Sequence, residues 1–512
     1  MADKAAFHVI VLGPSGGPRE DRVTGLLVRS TSTTWSPDSV VAVDAGTLLA
    51  GIIRLLAEYM PSKDEQNVLQ EGPFAGLQLP CETAEANAAH VFREIIGAVL
   101  ITHAHLDHIS GLAINTPILE AGSGPKPVAA LPSVLSAMKN HMFNDVIWPN
   151  LSDEDGGAGL LTYQRLVEGG NPRFGRGEAR GYVRACNGLL TKCLSVSHGR
   201  CKQKYHPESG AHHRVGSAVF ASDQLMLPSR AISVDHTEAG AFYSPARSPR
   251  LLPANQKDSG LATVESSAFF LRDHSTGNEI IVFGDVEPDS VSLEGHNKLV
   301  WDTAAPKIAA GTLRAIFIEC SYNDSIDDAY LYGHMCPRHL AAELTILAAK
   351  VVDMRDSAAQ ADKKRKRAGT TIVGDVPPDQ VSPKSKRSQS NSSGVNMNIN
   401  VNCPTQSRNN SIVEKDMPDA TLAASARAES FSLPGGPGAA PADDSIPNSS
   451  SWADSNPLPL AGLSVYIIHI KEHLTDGPPP GDQILRELRA HGEAASLGCE
   501  FFLPDPLQGI WI

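Results

Sequence analysis

Cysteine is scarce in this chain, and its spacing pairs none of it. Cys81, Cys186, Cys193, Cys201, Cys320, Cys336, Cys403 and Cys499 include no C-x-x-C. That excludes a zinc finger or a thioredoxin-like site and reads as ordinary thiols of a reducing compartment. Long apolar runs are missing as well. No stretch approaches the ~18 residues that a membrane helix needs, and the greasiest segments, 95–101 and 465–468, are strand-sized. The start, Met-Ala-Asp-Lys-Ala-Ala-Phe-His, has no apolar core of signal-peptide length. These absences predict a soluble, cytoplasmic protein with no membrane partner. Positive charge is in deficit, with 44 Lys+Arg against 57 Asp+Glu and a net charge of -13. A protein that coats nucleic acid by charge alone is thereby disfavoured. Charged residues make up 20%, below the usual ~25%, which argues against a wholly disordered chain. A length of 512 residues allows two or three domains or one large one.

The first 350 or so residues read as globular, with short apolar runs broken by Gly, Pro, Asn and Asp. The character then changes: between Asp353 and Ser451 the only aromatic is Phe431, amid Ser, Asn, Pro, Gly and Ala. Such a segment cannot bury enough apolar surface to offset its ordering entropy, so 353–459 is predicted to be a disordered insertion. Order is expected again at about Leu460, which makes 1–352 and 460–512 a single domain. Long surface insertions cost little because closure entropy grows only logarithmically with length. Strands are predicted at 7–12, 24–29, 40–43, 96–102, 192–197, 267–272, 279–283, 313–318 and 463–468. Helices are predicted at 48–59, 132–142, 338–352 and 482–491, the third with Leu340, Leu344, Leu347 and Ala348 on one face. Strands interleaved with helices give an α/β fold.

The most informative stretch is Ile101-Thr-His-Ala-His-Leu-Asp-His-Ile-Ser-Gly-Leu112. His103 and His105 stand two apart as the chain leaves an apolar strand, so both imidazoles project to one side. Asp107 and His108 follow in the tight turn that opens the next helix. Imidazole suits zinc and carboxylate suits a hard divalent ion. Adjacent Asp107 and His108 do not easily reach the ion that His103 and His105 hold, so the spacing points to two ions. A solvated polar turn is the plainer account, but the strand–turn–helix setting is what a metal motif requires.

His-x-His-x-Asp-His after a strand resembles the metallo-β-lactamase superfamily, and the resemblance implies its four-layer αβ/βα sandwich. Further strand ends followed by a ligand type stand at Cys193-Leu-Ser-Val-Ser-His198-Gly, Ile280-Ile-Val-Phe-Gly-Asp285 and Val465-Tyr-Ile-Ile-His469. The resemblance implies one ion on His103, His105 and His198, and a second on Asp107, His108 and His469, with Asp285 bridging. Asp44, in Val41-Ala-Val-Asp-Ala-Gly, matches the superfamily's early orienting aspartate. His206, His212, His213 and His236 compete with His198, whose strand-His-Gly setting favours it. Within the superfamily, Gly13-Pro-Ser-Gly-Gly-Pro, Phe283-Gly-Asp-Val-Glu-Pro-Asp289, Phe317-Ile-Glu-Cys-Ser-Tyr322, Leu331-Tyr-Gly-His-Met-Cys-Pro-Arg-His-Leu340 and Ile467-Ile-His-Ile-Lys-Glu472 look like the class II cyclic-nucleotide phosphodiesterases. Met335 and Cys336 depart from the Leu-Ser/Thr pair expected there, and the insertion is longer than expected. Similarity to ribonuclease Z points to Glu319 and His334 as a catalytic dyad.

What the resemblance implies is hydrolysis of cAMP or cGMP to the 5′-nucleotide. A hydroxide held by two Zn²⁺ would attack phosphorus, with His334, held by Glu319, protonating the departing 3′-oxygen. The two ions outweigh Asp107, Asp285 and the hydroxide by one positive charge, which suits a singly charged cyclic phosphate. Asn115 and Thr116, just beyond the metal motif, and Trp148, in the loop Asn144-Asp-Val-Ile-Trp-Pro-Asn150, are candidates for base contacts. Two other readings stay open. A ribonuclease Z-like nuclease is disfavoured by the acidic balance and the lack of a Gly- and Lys-rich arm. A non-catalytic scaffold is disfavoured because all seven ligand positions are filled. The basic run from Lys363 to Arg367 reads as a solvated segment or as a site for an acidic partner such as a nuclear-import receptor. A homodimer is compatible with all of this.

Overall fold

The computed structural model describes residues 5–61, 67–122, 124–215, 261–369 and 458–512. In chain order the strands and helices are β1 (Phe7–Gly13), β2 (Gly25–Ser30), β3 (Val40–Val43), α1 (Leu49–Tyr59), α2 (Ala84–His90), β4 (Ile96–Leu100), α3 (Leu106–Asn115), β5 (Lys126–Ala130), α4 (Pro132–His141), β6 (Leu161–Arg165), β7 (Val183–Cys186) and β8 (Leu189–Cys201). The hairpin β9 (Gln203–His206) and β10 (Ala211–Arg214) follows. Then come β11 (Ala262–Asp273), β12 (Glu279–Phe283), α5 (Asn297–Ala309), β13 (Leu313–Glu319), α6 (Pro337–Gly369), β14 (Ser464–Ile468), α7 (Pro480–Ala494), β15 (Glu500–Phe502) and β16 (Gly509–Trp511).

The strands form two seven-stranded sheets, ordered β16-β1-β2-β3-β4-β5-β6 and β15-β14-β13-β12-β11-β8-β7. Each has antiparallel strands on one side and a parallel run on the other: β3 to β6 in the first, β12 to β15 in the second. Period-two alternation sorts the side chains of the second sheet into two layers. Ile280 and Val282, Ala315 and Phe317, and Ile468 join a core shared with Val9, Val28, Val41 and Val99 of the first sheet. Ile281 and Phe283, Ile316 and Ile318, and Val465 and Ile467 face the other way. They bury Trp301 of α5, Leu340, Leu344 and Leu347 of α6, and Ile484 and Leu488 of α7. Helices α1 to α4 add Ile52, Leu55, Ala88, Leu112, Leu135 and Met138 to the first core. This is the helix–sheet–sheet–helix sandwich expected.

Strand β14 pairs in parallel with β13, Phe317 opposite Tyr466, so the chain returns after residues 370–457 to the sheet it left. Helix α6 does not stop at Val352 but runs to Gly369; residues 353–369 are helical and not part of an irregular insertion. The remainder of the predicted insertion, to residue 457, lies outside the described residues, as does His236. Among the described residues no helix is long and apolar enough to cross a membrane.

Candidate metal centre and active site

In an α/β sheet, functional groups collect beyond the carboxyl ends of the parallel strands, and this chain follows the rule from both sheets. Asp44 leaves β3, the histidine motif leaves β4, Asp285 leaves β12, Glu319 ends β13 and His469 leaves β14. His198 arrives differently. It lies inside β8 and not at a strand end: pairing with β11 slips between Ser197–Glu265 and Arg200–Thr263. His198 and Gly199 therefore oppose Val264 alone, and this bulge turns the imidazole toward the centre. Gly199 takes φ +66° and packs against Gly333, where an added Cβ would lie 2.6 Å from the Gly199 Cα. Asp44 and His469 also adopt left-handed backbone, at φ 55° and 59°, strain that the surrounding packing must hold.

Two groups of donors share Asp285: His103, His105 and His198 on one side, and Asp107, His108 and His469 on the other, each group within 4.8 Å. His105 Nδ1 lies 3.2 Å from His198 Nε2; His103 Nε2 and His198 Nε2 each lie 3.6 Å from Asp285 Oδ2. On the other side His108 Nε2 and His469 Nε2 are each 3.2 Å from Asp285 Oδ1, and His469 Nε2 is 3.3 Å from Asp107 Oδ2. Donors bound ~2.0–2.1 Å from one tetrahedral ion stand ~3.3–3.4 Å apart, so the spacing fits a cation between them. His103 Nε2, His108 Nε2 and Asp285 Oδ1 are buried without a hydrogen-bond partner among the described residues, a cost that ligation would remove. The groups fit divalent metal.

The opposite ring nitrogens are held, which fixes orientation as ligating imidazoles require. His108 Nδ1 lies 2.8 Å from Asp44 Oδ2, and His198 Nδ1 donates to Gly333 O at 2.9 Å. Asp44 Oδ1 accepts from Thr102 N and Oγ1 at 2.8 and 3.0 Å, and Thr102 Oγ1 lies 3.1 Å from His103 Nδ1. Asp44 thus steers both ends of the motif. Burial holds His103, His105 and His469 below the ordinary imidazole value and His198 at about 4. These rings are neutral, with lone pairs to give.

Beside the centre, His334 Nδ1 donates to Glu319 at 2.9 and 3.0 Å from its two oxygens. Glu319 also accepts from Val286 N at 2.7 Å and Ser321 Oγ at 2.6 Å. Burial works against a charged His334, but the Glu319 charge and hydrogen bond prevail and raise its pKa above the ordinary value. Its ring stands 4.8 Å from that of His198 and 5.1 Å from that of His469, at the edge of the donor cluster.

The sequence model of the family described as "cAMP phosphodiesterases class-II" matches residues 12–168 and 214–362, more than half of the chain. The chain belongs to the class-II cAMP phosphodiesterases. A 3′,5′-cyclic-nucleotide phosphodiesterase of Schizosaccharomyces pombe is 27% identical over 346 residues, covering 68% of this chain and 76% of its own. 3′,5′-Cyclic-nucleotide phosphodiesterase 1 of Saccharomyces cerevisiae is 26% identical over 374 residues, covering 67% and 82%. The crystal structure of unliganded yeast PDE1 superposes with a TM-score of 0.57 at 19% identity, covering 99% of this chain and all of that one, a likeness of fold.

In this class-II phosphodiesterase the three residues expected to contact the base have the following partners. Asn115 Oδ1 accepts from Leu49 N at 3.1 Å and so holds the start of α1. Thr116 is fully buried and donates to Leu112 O. Trp148 packs against the first core. Of the competing histidines, His206, His212 and His213 lie on the β9–β10 hairpin. Residues not singled out also serve the site. Ser321 Oγ donates to Glu319, lies 3.2 Å from His469 Nδ1 and is 2.8 Å from His469 O, joining dyad to cluster. Lys471 Nζ donates to Gly16 O at 2.7 Å and lies 3.7 Å from Asp107 Oδ2. Gly16 backs His469 so closely that a Cβ would come within 2.6 Å of its ring. The Gly13-Pro-Ser-Gly-Gly-Pro loop, one of the stretches that carry the family resemblance, is therefore a clamp on residues 469–472.

Proposed function

We propose that this class-II phosphodiesterase hydrolyses 3′,5′-cyclic nucleotides to 5′-nucleotides at a centre of two divalent ions, Zn²⁺ being the ion that an imidazole-rich donor set favours. The observation that carries the reading is the sharing of Asp285 by two donor groups, with His103 Nε2, His108 Nε2 and Asp285 Oδ1 buried and without a hydrogen-bond partner among the described residues. One ion would rest on His103, His105, His198 and Asp285, the other on Asp107, His108, His469 and Asp285. Bound there, such ions supply Lewis acidity toward the phosphate and a water acidified toward ~7.

The chain's own groups would do the rest. Glu319 fixes the proton of His334 at Nδ1, which leaves Nε2 free of that anchor and, protonated, able to give its proton to the departing 3′-oxygen. Lys471 places an ammonium at the edge of the centre, beside Asp107, where a cyclic phosphate would approach. Asp44 and Ser321 keep His108 and His469 turned toward Asp285. The free thiols of seven described cysteines support a reducing, cytoplasmic setting. The sequence from Lys363 to Arg367 supports an acidic partner such as an import receptor.

The test is release of 5′-AMP or 5′-GMP by purified protein with and without chelator, beside Asp285→Ala. Chelation is expected to abolish turnover and metal re-addition to restore it in the wild type only. Metal analysis of Asp285→Ala should show loss of bound ion. Undiminished hydrolysis by metal-free protein would overturn the reading.

A further inference from the structure

A cavity of about 390 Å³ opens beside His105. Its walls come from α4 (Val134, Ala137), from the β9–β10 hairpin (Gln203, Tyr205, His212) and from β11 (Thr263). The volume falls in the ~300–1,000 Å³ range of small-molecule sites. Hairpin register sets His212 opposite Tyr205, with ring centroids 5.4 Å apart and planes inclined by 54°. Gln203, two residues before Tyr205, shares its face.

Two polar groups here are unspent. His212 Nδ1 and Thr263 Oγ1 are buried with no hydrogen-bond partner among the described residues. Buried polar atoms are paired as a rule, and an unpaired one marks a place for water or ligand. The cavity thus combines aromatic rings, small apolar side chains and an amide able both to donate and to accept. Those are the means by which proteins hold a flat base: stacking on its face and pairing along its edge. It also adjoins a donor of the first ion, where the sugar-phosphate of a bound substrate would lie.

We propose that this cavity is the base-binding subsite, the Tyr205–His212 pair forming an aromatic wall against one face of a purine ring and Gln203 reading its edge. The assignment rests on the cyclic-nucleotide reading of the adjoining centre. It moves base recognition from Asn115, Thr116 and Trp148 to the hairpin of residues 203–214.

The experiment compares kcat/KM for cAMP and cGMP with kcat/KM for bis(p-nitrophenyl) phosphate, a diester with no base. The ratio is independent of the fraction of active protein, so partial misfolding cannot imitate the effect. In Tyr205→Ala and in His212→Ala the cyclic-nucleotide ratio is expected to fall ~10-fold or more, the ordinary worth of one stacked base, through KM more than kcat. Tyr205→Phe should restore it, and Gln203→Leu should shift the cAMP-to-cGMP preference. Adenosine binding, followed by calorimetry, should weaken in step with the alanine variants. Wild-type turnover of cyclic nucleotide with ratios unmoved in every variant would overturn the subsite alone. Wild-type protein that cleaves only the baseless diester would overturn the cyclic-nucleotide reading, and the subsite with it.

Discussion

His334 is the residue whose chemistry can be separated from that of the metal ligands. Its Nδ1 is committed to Glu319, so its other nitrogen can serve a leaving group without giving up its anchor. A 3′-alkoxide is a poor leaving group and needs that proton; a p-nitrophenolate does not. His334→Ala is therefore expected to lower kcat for cAMP by ~10²–10⁴, the span of general acid catalysis, while costing the aryl diester far less. Equal losses on both substrates would assign His334 to structure or ligation. The contrast with Asn115 shows what sequence could locate. His103 to His108 are informative because contiguity guarantees proximity, and the strand–turn–helix setting supplies direction. Asn115 was drawn in by the same contiguity, yet it sits at the far end of α3. A helix rises ~1.5 Å per residue, so ten residues carry it well away from the site. Tyr205 and His212 had no such signal, because only the hairpin register and its docking on α4 bring them beside His105.

At the level of elements, β3 and β12 have the bounds their apolar runs predict, 40–43 and 279–283. Other elements were hidden by composition. Strand β5 begins Lys126-Pro127, and a proline demotes a strand reading; here Lys126 is buried and its ammonium donates to Arg93 O and Ile96 O. Helix α5 carries Pro306, a helix breaker by propensity. Helix α6 outruns its apolar face because Ala, Arg, Gln and Lys have high intrinsic helix propensity. Its start is set by Asp324, whose Oδ1 accepts from Arg338 N at 2.8 Å while Oδ2 meets His491 Nε2 of α7 at 2.6 Å. Burial opposes the charged form of Asp324, but those hydrogen bonds outweigh it and hold the carboxyl below its usual pKa. A folded-state pKa below the unfolded one gives stability that is present above the unfolded value, near 4, and lost as pH falls through the folded value. Asp324→Asn keeps an acceptor for Arg338 N but removes the charge, and should thus cost ~0.3–1 kcal/mol at pH 7, the worth of a negative charge at a helix N-terminus. The gap between variant and wild type, read from urea unfolding, should close below about pH 4. A gap independent of pH would show that the carboxylate charge contributes nothing.

At the scale of the whole molecule, the last ligand comes from far along the chain. His469 follows β14, and β14 lies beside β13 in the second sheet, so the centre closes only after the polypeptide has passed through residues 370–457. The described residues account for every donor of the two groups, and the clamp on His469 comes from the N-terminal loop through Gly16 and Ser15. Nothing in that geometry calls on residues 370–457 for catalysis. Replacing them with about eleven Gly and Ser residues is three halvings of loop length. Each halving returns ~0.6 kcal/mol of closure entropy to the folded state. The shortened protein is therefore expected to turn over cAMP with unchanged kcat and KM and to unfold at slightly higher urea, by at most ~2 kcal/mol. A folded, metal-loaded short form that hydrolyses cAMP poorly would reveal that the segment reaches the active site. A short form that binds no metal would show instead that β14 cannot find its register beside β13 without it.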